Sequence, residues 1–110
     1  MGRNLGEFEQ LILFAMLRLG DEAYGVTIRE EIEANTAREV SAGAVYTTLD
    51  RMEKRGLVSS CFGEPSPERG GKRKKFYRLE EPGAELLDRS YEDVRSMASG
   101  QLSKLKEMIR

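Results

Sequence analysis

Apolar residues first recur at helical spacing between Leu5 and Leu19, where Phe8, Ile12, Ala15 and Leu19 form one stripe. Leu11, Leu13, Phe14, Met16 and Leu17 make the middle of this segment apolar almost all round, with Glu7, Glu9, Gln10 and Arg18 only near its ends. A helix on the surface of a monomer keeps a polar face. The pattern therefore predicts burial on two sides, one against the chain's own core and one against another element or a second subunit, with a subunit contact through Leu13, Phe14 and Leu17 favoured over burial within a single chain. Gly20, Asp21 and Glu22 break the helix. Tyr24, Ile28 and Ile32 recur every four residues and predict a second helix from Tyr24-Gly25 to Asn35. Gly25 is costly in a helix interior, so it is expected to allow close packing against a neighbouring helix. Glu30, Glu31 and Glu33 read as a solvated face, and Asn35 as a left-handed helix end. Thr36 to Val40 reads as a turn, with Glu39-Val40 as a short strand pairing with a later ribbon.

Ser41 is suited to cap a third helix, because its hydroxyl can accept a free N–H two or three residues on. Val45, Leu49 and Met52, at i, i+4 and i+7, define its packed face. The opposite face is expected to carry Ser41, Thr47, Thr48, Arg51 and Arg55, with Tyr46 at its edge. Gly56 ends this helix. A strand from Leu57 to Phe62, a tip from Gly63 to Gly71 and a second strand from Lys74 to Leu79 follow. Tyr77 and Leu79 should share a face of that strand. A helix that leads straight into a two-stranded ribbon is the layout of a winged helix-turn-helix. The fold class is mainly α with a small β-wing, an α+β architecture.

From Pro82 the pattern is helical again. Leu87, Tyr91, Val94, Ala98, Leu102, Leu105 and Ile109 follow near-heptad spacing. A helix from Pro82 to the end would run about 43 Å, too long to bury its seam on so small a core. Pairing with a second subunit through these seven residues is expected, with Gly100 as a point of interruption. Residues 1–80 thus read as a winged-helix DNA-binding domain and 81–110 as a C-terminal dimerisation helix.

Composition adds exclusions. The 110 residues contain one cysteine and no histidine. That removes the usual general base and the usual metal ligand, so an enzyme, a metal site and a cofactor are not expected. No stretch is apolar enough to span a bilayer and no signal-peptide pattern is present, which suits a cytoplasmic protein. Cys61 reads as a small strand side chain. Gly70-Gly71-Lys72 lacks the glycine spacing and the Ser or Thr of a nucleotide loop.

Net charge is −1, but its distribution is uneven. Residues 38–78 hold ten basic and five acidic side chains, and Arg69 to Arg78 holds six basic and none acidic. A face basic on one side of an acidic domain suits phosphate binding. Ser41 and Gly43 form a helix N-terminus that can take a phosphate, or simply a cap and a packing site. Thr47 and Thr48 are poor helix formers. Thr can contact base edges or the thymine methyl, and Arg can make paired bonds to guanine. Arg51 is the best single base-contact candidate; its alternative is an exposed ion pair with Asp50 or Glu53.

The segments LILFAMLRL from Leu11, Tyr24-Gly25, SAGAVYTTLDRMEKRGLV from Ser41 and KFYRLEEPGAELL from Lys75 resemble the PadR-like transcriptional regulators. The resemblance covers residues 5 to 90. It implies a dimeric winged-helix repressor of a nearby operon for transport, efflux or stress response. It also implies Ser41, Gly43, Tyr46 and Thr47 at the DNA, with Tyr46 reaching a phosphate, and Lys72, Arg73, Lys74 and Lys75 along the backbone. Thr47 stands where the family often has Pro, and Glu80 where Thr commonly caps the last helix. A single C-terminal helix matches the family's shorter branch. Some short members bind a flat drug-like molecule at the dimer centre; no aromatic pair here marks such a site, and an effector is left open.

The expected partners are a palindromic double-stranded operator and a second copy of the chain. The alternative is a winged helix used as a protein-interaction module.

Overall fold

The computed structural model describes residues 3–65, 70–71 and 73–109. Helix α1 (Glu7–Leu19) runs into a 3₁₀ turn at Gly20–Glu22, followed by α2 (Gly25–Asn35) and α3 (Ala42–Lys54). Strands β1 (Val58–Pro65) and β2 (Arg73–Leu79) form an antiparallel ribbon. Two helices close the chain, α4 (Glu81–Ala98) and α5 (Leu102–Met108). This is the α+β winged-helix arrangement that the apolar spacing predicts.

Helix α1 is central. It packs against α2, α3, α4 and β2, and Ile12, Leu13, Ala15 and Met16 are all buried. Its nearly continuous apolar surface is therefore covered mostly by its own chain. Leu13, expected at a subunit contact, is fully buried in the core instead. Phe14 is half-buried with its ring edge-on to Tyr91, 5.5 Å between centroids, and only Leu17 of the three is exposed. The core continues through Ile28 and Ile32 of α2 and Val45, Leu49 and Met52 of α3. Burying a side chain of this size contributes about 1.5–3 kcal/mol.

The turn between α2 and α3 is held by side chains. Asn35 does not adopt a left-handed conformation; α2 ends at Thr36 in extended backbone (φ −137°). Thr36 can do this because its hydroxyl donates to the Ile32 carbonyl at 2.8 Å and accepts the Arg38 N–H at 3.1 Å. Glu33 is not merely solvated: its carboxylate accepts the Val40 N–H at 2.9 Å. Glu31 pairs with Arg18 at 2.6 Å and accepts from Asn35. The Arg18 hydrogen bond draws the Glu31 carboxyl below its ordinary value.

The ribbon's partner among the helices is Tyr24 rather than Glu39-Val40. Tyr24 bridges Phe76, and the Tyr77 N–H donates to the Ala23 carbonyl at 2.8 Å. Backbone donors and acceptors at Ala23 and Tyr24 lie just before α2, where the chain is still extended, and that suits them to extend the sheet.

The C-terminal segment is two helices, not one. Gly100 at φ +78° breaks it between α4 and α5. The first turns of α4 belong to the core: Leu86, Leu87 and Ser90 are buried, and the Ser90 hydroxyl accepts the Leu5 N–H at 2.8 Å. Leu87, expected at the subunit seam, is thus packed inside its own chain. Glu80 precedes α4 without a side-chain cap; its carboxylate accepts the Ser59 hydroxyl instead.

Candidate nucleic-acid interface

Ser41 starts the interface. Its Oγ accepts the Ala44 N–H at 3.1 Å, so the α3 N-terminus begins as the sequence predicts. Beyond it Gly43, Tyr46, Thr47 and Arg51 lie exposed on one face of α3. Asp50 and Lys54 share that face and pair with each other at 3.1 Å. Arg51 makes no ion pair among the described residues and reaches only the Thr48 hydroxyl, at 3.5 Å. The exposed face is cationic and polar at Thr47 and Arg51 and carries a carboxylate at Asp50.

Thr48 departs from expectation. It is 3% exposed and packs with the core side of α3. Positions 45, 48, 49 and 52 follow i, i+3, i+4 and i+7, one buried stripe. The polarity of Thr obscured a position that the periodicity already contained. Arg55 is exposed, as expected, and reaches to within 3.8 Å of Glu9 on α1.

Tyr46 is positioned by a glycine. A Cβ at Gly25 would overlap the Tyr46 ring at Cζ and the hydroxyl. The expected close helix packing at Gly25 is therefore with α3, and the tyrosine lies across the start of α2. Its hydroxyl end lies against Gly25, and the residue as a whole is 42% exposed.

The ribbon distributes its cations over two faces, because alternate residues of a strand point opposite ways. Register pairs Phe62 with Lys75, Ser60 with Tyr77 and Cys61 with Phe76. Arg73, Lys75 and Tyr77 therefore share a face with Ser60 and Phe62. Lys74, Phe76 and Arg78 lie on the other. Lys74 Nζ stands 4.5 Å from the Tyr24 ring centroid, and Arg73 Cζ 5.4 Å from that of Phe62. Lys75 is half-buried and within 3.8 Å of Glu53. Tyr77 is buried, and that burial raises its hydroxyl above the ordinary value, with Glu53 adding to the effect. Lys72 lies outside the described residues.

Two residues absent from the sequence-based set adjoin the site. Arg38 lies just before the α3 N-terminus, held by Glu7 at 3.2 Å and by the Phe8 ring. Its charge was visible in the sequence, but its approach to α3 depends on the turn geometry. Glu53 joins α3 to the ribbon. Neither strand pairing nor helix spacing alone could have brought Glu53 to Lys75.

The described residues contain no helix long and apolar enough to cross a membrane. A second exposed surface lies on α4 and α5, where Tyr91, Val94, Met97, Leu102, Leu105, Met108 and Ile109 are all exposed. Ala98 lies at the end of α4 and is half-buried.

Comparison with known proteins agrees with this layout. The sequence model of the transcriptional regulator PadR-like family matches residues 13–89. An uncharacterised protein of Lysinibacillus sphaericus is 31% identical over 84 residues, covering 74% of this chain and 72% of that protein. Among solved structures, a PadR family transcription regulator from Clostridium difficile superposes with a TM-score of 0.70 at 22% identity, covering 89% of this chain and 98% of its own. A PadR-like transcriptional regulator from Bacillus cereus gives 0.69 at 24% identity, covering 89% of each chain.

Proposed function

Because the chain belongs to the PadR-like family of transcriptional regulators, we propose that it acts as a homodimer that binds a palindromic double-stranded operator and represses a neighbouring operon by occupying it. A family of regulators, not of enzymes, is the frame for every residue below. The regulated operon is one for transport, efflux or stress response, and the site of action is the cytoplasm.

The observation that carries this reading is the exposed half of α3. Gly43, Tyr46, Thr47 and Arg51 stand on one open face behind a Ser41-capped N-terminus, beside a ribbon bearing Arg73 and Lys74. In the proposed complex the α3 N-terminal turns enter the major groove. Ser41, Gly43 and Tyr46 approach phosphates with N–H and O–H donors, while Thr47 and Arg51 meet base edges. The ribbon runs along the backbone with Arg73 and Lys74 on phosphates. Tyr91, Val94, Leu102, Leu105 and Ile109 pair with the second copy, and Ala98, Phe14 and Leu17 extend that contact. Two α3 helices related by a two-fold axis would read half-sites about 34 Å apart.

The test is a titration of promoter fragments with competitor DNA at two salt concentrations. Tight binding to one fragment that resists competitor supports a sequence-specific regulator, and deletion of the gene should then raise the adjoining transcript. Equal binding to all fragments that disappears with salt would sink the operator reading. The exposed apolar face of α4 and α5 would then favour a protein-interaction module.

A further inference from the structure

Glu53 lies one turn beyond Leu49 on α3, at the point where the helix meets the ribbon. Its Oε2 accepts the Ser60 hydroxyl at 2.6 Å, and its Oε1 lies 3.8 Å from Lys75 Nζ. The same ammonium stands 5.9 Å from the Phe62 ring centroid and 5.7 Å from that of Tyr77. Strand register explains this convergence: Ser60 pairs with Tyr77 and Phe62 with Lys75, so all four side chains share the face turned to α3. The Glu53 and Lys75 side chains are 32% and 38% exposed. One wing cation is thus enclosed by a carboxylate and two aromatic faces. The other described wing cations differ. Among the described residues, Arg73 and Lys74 each approach a single ring and pair with no carboxylate.

We propose that Glu53 is a positioning residue for DNA binding, holding the Lys75 ammonium on the protein and withholding that charge from phosphates. The proposal rests on the reading of this face as a DNA interface. Its physical basis is competition. A phosphate that engages Lys75 competes with a carboxylate that also accepts the Ser60 hydroxyl. Random DNA offers backbone charge and few base contacts, so it gains least from that displacement. Glu53 therefore weakens sequence-independent binding more than operator binding, and it couples the wing to the recognition helix through Ser60.

The test has one arm without DNA and one with it. In the first, the protein is treated with limiting acetic anhydride and acetylation is read by mass spectrometry at Lys75 and at the exposed Lys104. Lys75 should react several-fold more slowly than Lys104 in the wild type. Glu53→Gln keeps an oxygen for the Ser60 hydroxyl, and should bring Lys75 close to the Lys104 rate. In the second, affinity for a random-sequence duplex is measured against salt. Glu53→Gln should steepen the log–log slope by about 0.9 per subunit, the value for one phosphate contact. Lys75→Gln should flatten the slope more in the Glu53→Gln background than in the wild type. Lys75 reacting equally in wild type and Glu53→Gln would overturn the enclosure. Equal effects of Lys75→Gln in both backgrounds would overturn the withheld charge. A wild type without DNA affinity but with Lys75 protected would count against the DNA reading and leave the enclosure standing.

Discussion

A methyl group at Gly25 would overlap the Tyr46 ring, whereas one at Gly83 would overlap the Leu57 carbonyl oxygen. The two clashes differ because a ring can swing and a backbone oxygen in a strand connection cannot. Gly83→Ala must push α4 away from the start of β1, and is expected to lower stability by about 1–3 kcal/mol in urea denaturation. Gly25→Ala should change the denaturation midpoint much less, yet weaken DNA binding because the Tyr46 hydroxyl is displaced. A pair of variants with equal stability losses and unchanged affinity would refute the assignment of Tyr46. Single positions also show what sequence reading overlooked. The hydroxyl of Thr48 suggests the outer face, while its spacing from Val45 and Met52 puts it in the buried stripe, where the structure has it. Gly25 was legible as a close approach, but not the identity of the side chain that approaches.

The ribbon was legible as two strands with a basic second member, and both form, although β1 runs three residues beyond the expected Phe62, to Pro65. Along the sequence its run of positive charge reads as a single patch. Strand geometry divides it, with Arg73 and Lys75 on one face and Lys74 and Arg78 on the other. Arg73 and Lys74 both remain candidates for phosphate contact, since each lies against only one ring. Changing both to Ala removes two contacts per subunit, and in a dimer should flatten the log–log salt dependence of DNA binding by up to about 3–4. An unchanged slope would mean that the ribbon does not lie along the backbone. The helix-turn-helix turn shows the opposite balance. Its presence was legible, but the hydrogen bond from the Val40 N–H to Glu33 was not, because those groups meet only once the chain has turned back after α2.

The exposed residues of α4 and α5 form the largest departure from a well-covered surface: Met97 and Met108 are each 81% exposed, and Val94 and Leu102 each 60%. Contiguous apolar surface of this kind marks an interaction site. If a second copy covers it, the double change Val94→Asp with Leu102→Asp should convert the dimer to a monomer in sedimentation. The helical circular dichroism should persist, because both side chains are exposed in the single chain. A wild type that sediments as a monomer would redirect this face to another partner. Helix α1 adjusts the picture of that interface. Its all-round apolar character favours a second subunit on one side, yet most of it is covered by α2, α3, α4 and β2.

Local sequence pattern alone determined the order of the first three helices and the two strands, the packed face of α3, its Ser41 cap and the basic second strand. Those features depend on neighbours within a turn or two of the chain, and such neighbours are written side by side in the sequence. Only the folded structure decided that Leu13 and Leu87 belong to the core, that Tyr24 extends the ribbon, that Gly25 receives Tyr46, and that Glu53 encloses Lys75. Each of these joins residues far apart along the chain. Their meeting depends on how helices and ribbon dock, which is set by the balance of burial and hydrogen bonding over the entire core.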